Sequence, residues 1–438
     1  MVKVVKFGGS SLADAAQFRK VIKIINAEND RKYVVPSAPG KRCKDDIKVT
    51  DLLYRCYELA AKGENIDEAF AVIMDRYNTI IADLGIELDL SKEFEQIKSA
   101  MIHKAGRDYA ASRGEYLSGK VLACALGYKF IDAADVIFFN DDGSLDSEKT
   151  NDVLSEVLKD EENAVIPGFY GIMPNDTVKT FSRGGSDITG SIVARAVEAD
   201  LYENWTDVNG FLMADPRVVE DPCTISKITY RELRELSYMG ATVLHEDAIF
   251  PVRKAGIPIN IRNTNSPEQA GTMIVASSEG YDHQKVITGI AGKHGFSTIF
   301  IEKDMMNSEI GFGRRVLEVL ERENISFEHL PSGVDTMTVV VATDAIEGRR
   351  ERIIEKLTAS VNPDSIAVND GIALIAVVGR GMKNAKGTAA RIFGSIAKAD
   401  VNIRMIDQGS SELNIIIGVD ECDFVKAMNA IYHEYVND

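Results

Sequence analysis

Lys6 ends an apolar run, Val2 to Phe7, and Gly8-Gly9-Ser10-Ser11 follows at once. Phe18, Val21, Ile22 and Ile25 fall at i, i+3, i+4 and i+7, so a helix follows the turn, with Ser11 and Asp14 spaced like a capping box. A strand-end cation, a glycine turn and a helix start together suit a bound phosphate. In a Walker loop the lysine comes after the glycines; here it precedes them, which marks a different way of handling phosphate. Three more segments carry chemistry. In Phe181-Ser182-Arg183-Gly184-Gly185-Ser186-Asp187, arginine can grip a carboxylate or phosphate with two parallel bonds, and aspartate on the first turn can hold a lysine or a metal ion. In Trp205-Thr206-Asp207-Val208-Asn209-Gly210 and Asp215-Pro216-Arg217, Asp207 suits a ribose hydroxyl and Arg217 a phosphate. In Gly114-Glu115-Tyr116-Leu117-Ser118, the stripe Leu117, Val121, Leu122, Ala125 puts Glu115 near a helix start. Taken singly, each also fits a plain structural role: a tight turn, a capped loop, a hairpin with a surface ion pair, a dipole-matched carboxylate. His245 reads as a packed histidine.

The elements that must position these residues alternate. Apolar runs at 2–7, 33–38, 130–139, 164–167 and 256–261 are separated by helical patterns, which predicts an α/β fold with a mostly parallel sheet. Residues 41–115 are polar and mainly helical and read as an insertion or lid. A polar stretch at 277–285 reads as a linker. Beyond it Arg315–Leu330 matches Arg391–Ile406 at a shift of 76 residues, with Gly311 on Gly387 and Val339–Val341 on Ile415–Ile417. Two βαββαβ-like copies follow, each able to cover the other's open edge, with Asp370-Gly371 as a hairpin-type turn between them.

The length of 438 residues allows two or three domains, and 45% apolar with 27% charged residues is ordinary for a globular chain. A net charge of −17 argues against nonspecific nucleic-acid binding. Five scattered cysteines and six scattered histidines have no zinc-site spacing, so the thiols are expected reduced in a cytoplasmic protein. No apolar run reaches the roughly 20 residues of a membrane span, and no secretory leader is evident.

Together the segments resemble the aspartate kinases of the amino-acid-kinase family. The matching motifs are KFGGSS at 6–11, VVPSAPG at 34–40, GEYLS at 114–118, FSRGGSD at 181–187, WTDVNG at 205–210, ADPR at 214–217 and GATVLH at 240–245. Thr242 stands where many relatives carry lysine, Glu246 where they carry proline, and the segment after Gly40 is longer than in common relatives. The resemblance implies an αβα sandwich at 1–276 and two ferredoxin-like ACT domains at 286–362 and 363–438, with the 286–292 strand exchanged between them. It implies Mg2+-ATP as phosphoryl donor and L-aspartate as acceptor, its side-chain carboxylate already ionised and needing no general base. Lys6 would neutralise the transferring group, Asp187 would orient Lys6, and Gly8, Gly9 and Ser10 would offer amides. Ser37, Thr50, Glu115, Arg183 and Ser186 would hold aspartate, with Arg183 on its α-carboxylate and Glu115 on its ammonium. Thr206, Asp207, Leu212, Asp215, Arg217, Thr242 and Val243 would line the nucleotide. An effector amino acid, lysine before threonine, would meet Met306, Ser308, Glu309, Gly311, Phe312, Phe327, Glu328 and Ser332, and the ACT domains would join a homo-oligomer. No protein metal ligand is implied. The rivals are a kinase for a glutamate-type acid, a non-catalytic amino-acid sensor, and a dinucleotide oxidoreductase, for which the G-x-G-x-x-G turn is missing. The repeat reaches almost to Asp438, so no appended dehydrogenase is expected.

Overall fold

The computed structural model describes residues 1–182, 184–240, 246–276 and 286–436. Arg183, the segment 241–245 with Thr242, Val243 and His245, and the connector 277–285 lie outside the described residues. The chain divides into two compact units. One holds Met1–Phe211, Thr224–Tyr230 and Val243–Glu279; the other holds Leu212–Cys223, Arg231–Thr242 and Gly280–Asp438.

Ten strands belong to the first unit: β1 (Lys3–Phe7), β2 (Arg31–Pro36), β3 (Lys129–Phe130), β4 (Ala164–Val165), β5 (Tyr170–Ile172), β6 (Val178–Thr180), β7 (Leu201–Thr206), β8 (Lys227–Thr229), β9 (Ile259–Asn263) and β10 (Thr272–Val275). Eight form one sheet in the order β3-β4-β2-β1-β7-β9-β10-β8. Every pairing is parallel except β9 with β10. All of β1 is buried, as a strand covered on both faces must be. Its Val5 and Phe7, with Val34 and Trp205, face a core built by helices Ala15–Asn26 and Arg107–Leu126. Helix Gly185–Ala196 lies on the other face, and helix Glu246–Ala255 packs against it. The layers are those of the expected αβα sandwich.

Two local expectations change. The 130–139 run yields only the short β3 and then helix Ala133–Val136, because Asp132 caps that helix by accepting from the Ala134 amide. Residues 41–115 are no lid. Their helices Val49–Ala61, Asp67–Leu84 and Ser91–Ile102 bury Leu53, Cys56, Ile73, Tyr77 and Phe94 in the same core as Val5 and Trp205.

In the second unit, β11 (Gly289–Glu302), β12 (Thr336–Ala342), β13 (Ser365–Val378), β14 (Ile403–Asp407) and β15 (Asn414–Asp420) form one sheet in the order β12-β11-β13-β15-β14. The repeat is visible in its helices: Phe312–Arg322 and Thr388–Lys398 begin after Gly311 and Gly387, whose φ angles are 84° and 86°. The first half of β11 pairs with Leu374–Val378 and its second half with Ser365–Asn369 and β12, so β11 serves both copies. Asp370-Gly371 is not a hairpin. It lies inside β13, where Gly371 at φ 72° lets the strand bend opposite the irregular register around Lys293 and Phe296. Ser297 and Arg350 both bond Asp370 there, which fixes the bend.

Candidate active site

β1 and β7 pair in register, with Lys6 opposite Asn204, so both side chains leave the same face of the sheet. Helix Gly185–Ala196 crosses that face closely: a Cβ on Gly190 would lie 2.5 Å from the Tyr202 hydroxyl. That hydroxyl donates to the Asp187 carbonyl at 3.2 Å. Asp187 is thereby set beside Lys6. Lys6 Nζ meets Asp187 Oδ1 at 2.5 Å and Asn204 Oδ1 at 3.3 Å, and Asn204 Nδ2 donates to Asp187 Oδ1 at 2.8 Å. Lys6 is 7% exposed, so this ammonium is held by one carboxylate and one amide in a site largely without water. Asn204 completes the arrangement and was not foreseen. Its trace in the sequence is an amide inside an otherwise buried strand, a costly placement unless the group is bonded.

The glycine turn is built differently from the expectation. Gly8 donates its amide to the Trp205 carbonyl at 3.0 Å, which leaves Gly9 and Ser10 as the candidate donors. Ser11 is no helix cap: Gly9–Leu12 forms a 3-10 turn, Asp14 caps the helix by accepting from Gln17, and Ser11 Oγ pairs with Thr264 Oγ1 at 2.8 Å. Helix Gly185–Ala196 begins without a side-chain cap, preceded by Gly184 at φ 58°. Its first turn carries Asp187 and the buried Ser186, and its dipole favours an anion in front of it. Ser186 packs on Gly168, where a Cβ would fall 2.6 Å from its Oγ.

The loop Ser37–Gly40 locks onto the same turn. Gly40 donates to the Gly9 carbonyl at 2.7 Å, and a Cβ on Gly40 would lie 2.7 Å from the Gly9 carbonyl carbon. Ser37, half-buried, donates its amide to Phe7 O at 3.0 Å. Thr50, also half-buried, sits in the first turn of Val49–Ala61. Glu115 comes to this loop from the other side. The sequence indicated a helix start near it, but Glu115 lies in the interior of helix Arg107–Leu126, two turns past the observed start, so the dipole argument does not apply. Gly114 touches Ala38 so closely that a Cβ there would lie 2.6 Å from Ala38 Cβ, and Glu115 accepts from the Ala38 amide. Its Oε2 has no partner among the described residues. Burial pushes its carboxyl up to about 8. Among the described residues this buried acid has no cation paired with its Oε2.

Of the residues expected at a nucleotide, Thr206 ends β7 and Asp207 follows it, exposed, its carbonyl accepting from Asn263 at 3.4 Å. Leu212, Asp215 and Arg217 belong to the second unit. Arg217 folds back onto Asp215 at 2.6 Å, so a phosphate would have to compete for it.

The expected effector residues divide. Met306 and Phe312 are buried in the core of the first repeat and serve packing. Glu309 is held by Lys303 at 2.7 Å and by Arg315, which keep its carboxyl below the usual range and already neutralise it. Ser308 donates to the Met305 carbonyl at 2.8 Å and Ser332 to that of Leu330 at 3.2 Å. Glu328 accepts from the Tyr238 hydroxyl at 2.6 Å, and Phe327 is 44% exposed. Glu328, Phe327 and the uncapped Gly311 remain the candidates.

A model of the amino acid kinase family matches residues 1–263, and one of the ACT domain matches residues 375–435. The chain is 39% identical to aspartokinase 3 of Bacillus subtilis, over 99% of this chain and 98% of that one. Among solved structures, an aspartate kinase of Clostridium acetobutylicum is 53% identical, with a TM-score of 0.90 over 99% of both chains. E. coli aspartokinase III, solved with aspartate and ADP and again with lysine and aspartate, is 24% identical with a TM-score of 0.72, a likeness of fold. A parallel sheet that sets a buried lysine–aspartate pair beside two interlocked glycine turns, the family match over more than half of the chain and a full-length relative agree: the chain belongs to the amino acid kinase family and, within it, to the aspartate kinases, phosphotransferases that act on a carboxyl group.

Proposed function

We propose that this aspartate kinase uses Mg2+-ATP to convert L-aspartate to 4-phospho-L-aspartate, the entry step toward lysine, threonine and methionine, under feedback from an end-product amino acid. The observation that carries the mechanism is the Lys6–Asp187–Asn204 cluster beside the uncapped helix N-terminus. Two anions must meet, the acceptor carboxylate and the γ-phosphate, and transfer then depends on positioning and on charge neutralisation. Lys6 supplies a fixed positive charge; Asp187 and Asn204 hold it where charge builds up. Gly9 and Ser10 offer amides, Glu115 takes the aspartate ammonium, and Ser37, Thr50, Ser186 and Arg183 complete the pocket. Thr206 and Asp207 line the nucleotide.

Among the described residues no three His, Cys, Asp or Glu side chains converge on a metal position, and Asp187 is already engaged by Lys6 and Asn204. A Mg2+ that arrives on ATP would lower the charge the acceptor must approach. The E. coli relative solved with lysine supports lysine as effector, and Glu328 is the carboxylate that would receive it. Met305, Ile310 and Val334, exposed apolar residues of the first repeat, suit contact with a second copy in a homo-oligomer.

The test is turnover of ATP with L-aspartate, L-glutamate and N-acetylglutamate side by side, trapping acyl phosphate with hydroxylamine, with lysine or threonine added. Hydroxamate from aspartate alone, suppressed by lysine, is expected. Hydroxamate from glutamate and not from aspartate would overturn the substrate; suppression by threonine alone would overturn the effector.

A further inference from the structure

Asn204 faces Lys6, but its neighbours Glu203 and Trp205 leave the opposite face of β7. Beneath that face lies a cavity of about 330 Å3 that the phosphotransfer reading does not use. Lys20, Lys23, Arg31 and Arg262 line it, against a single lining carboxylate, Glu28. Behind the wall Glu203, 1% exposed, accepts from Arg31 Nε and from Trp205 Nε1, both at 2.8 Å. It also stands 3.8 Å from Arg262 Nη1 and 3.6 Å from Lys3. Five cations thus gather around two carboxylates, an excess of three positive charges in a chain whose net charge is −17. Arg262 Nε, buried, has no acceptor among the described residues. Arg262 lies 4.5 Å over the Trp205 ring, and Ile24 and Pro267 add apolar wall.

We propose that this cavity binds a small organic dianion with a flat apolar body, a phosphate ester or a dicarboxylate. The cations set the charge of the ligand, and the Trp205, Ile24 and Pro267 surfaces set its shape. The site is joined to the phosphate turn. Thr264 lines the cavity, bonds Ser11 Oγ at 2.8 Å, and donates its amide to the Thr206 carbonyl at 2.9 Å. A ligand that shifts Thr264 therefore acts on both the glycine turn and the end of β7.

Trp205 is the single tryptophan of the chain, so its emission reports on this cavity directly. The full-length protein is titrated with phenyl phosphate and, separately, with phthalate, which distinguishes the two kinds of dianion. A saturable change with either is expected. Saturating ATP should shift its midpoint without abolishing the change, because coupling through Thr264 is reciprocal, and inorganic phosphate should bind more weakly than phenyl phosphate. Lys20 and Lys23 are exposed at the rim, so Lys20→Glu with Lys23→Glu should fold normally and weaken binding about tenfold or more. Arg262→Gln should weaken it as well. No saturable change with either probe, an unchanged midpoint in the double variant, or displacement by ATP would overturn the assignment. Equal affinity for inorganic phosphate would overturn the apolar part of it.

Discussion

Glu115 gives a prediction with a sign and a size. The free protein buries its carboxyl beside the Ala38 amide and offers Oε2 no partner, and burial holds the group at about 8. At pH 7 about one Glu115 in ten is then ionised. An aspartate ammonium arriving at this carboxyl would pair with it, draw it to about 5 or below, and expel its proton. Binding of aspartate at pH 7 should therefore release about 0.9 proton per site, falling toward zero well above pH 8. Calorimetry of aspartate binding in buffers of different ionisation enthalpy measures this number as a slope. Glu115→Gln keeps the shape, removes the titration, and should abolish the release while weakening aspartate binding. The same shift governs stability. The folded carboxyl lies above its unfolded value of about 4.3, so its contribution is complete below that pH and is lost as pH rises through about 8. At pH 7 the loss is about 4 kcal/mol, which Glu115→Gln would recover, so the variant should melt higher than the parent at pH 7 and lose less stability between pH 4 and 8. Zero proton release, or equal release from Glu115→Gln, would refute the reasoning; so would identical pH–stability curves.

Four further outcomes can be checked. Lys6→Ala should lower kcat by about two to three orders of magnitude while shifting aspartate affinity little, since a cation aimed at developing charge acts on the transition state; steady-state and binding measurements together decide it. Asn204→Ala removes the second partner of Lys6 and should lower kcat about tenfold, the worth of a hydrogen bond to a charged group, with an unchanged KM for aspartate. Gly40→Ala puts a Cβ 2.7–2.8 Å from Gly9 and Ser10 backbone atoms, which no rotamer can relieve, so it should destabilise by about 1–3 kcal/mol and separate the two glycine turns, seen as a lower Tm with weakened ATP binding. Glu328→Gln should relieve inhibition by lysine about fivefold or more, while Glu309→Gln should not, because Glu309 is already neutralised by Lys303 and Arg315.

What could be read from the sequence follows from how local each signal is. Lys6, the glycine turn and Asp187 were legible because a cation beside glycines and an acid on a first helical turn carry their chemistry in adjacent residues. The αβα layers and the repeat were legible because apolar periodicity and the 76-residue shift are patterns that local structure preserves: Gly311 and Gly387 both cap helices with φ near 85°. The failures lie where distant partners decide. Ser11 looked like a cap until Thr264 claimed its hydroxyl, and Asp14 took the cap instead. Glu309 looked like a free acid because Lys303 and Arg315 are six residues away on either side, and pairing with both depends on how the loop folds back.

Asn204 shows why the central part of the site was only half visible. Its own segment marks it only as an amide inside an otherwise buried strand; the parallel register that sets it opposite Lys6 gives it a role. That register also divides β7 by alternation. One residue steadies Lys6, and the residues on either side of it, Glu203 and Trp205, hold a cationic cavity on the opposite face. A strand shared in this way transmits displacement between its faces more directly than a loop would, because Asn204 cannot shift along the strand without moving Glu203 and Trp205. Substitutions at Glu203 should therefore be felt at Lys6. Glu203→Gln weakens the hold on Arg31, Arg262 and Lys3 while keeping the side-chain shape and a bond to Trp205. It takes the ion pair from Arg262 and leaves Lys3 and Arg31 with the more exposed Glu28 alone, and breaking such a network typically costs about 3–5 kcal/mol. If β7 couples the two faces, the kcat of this variant falls together with its stability. If kcat holds while Tm drops, the two faces are independent, and Asn204 owes its position to the register with β1 alone.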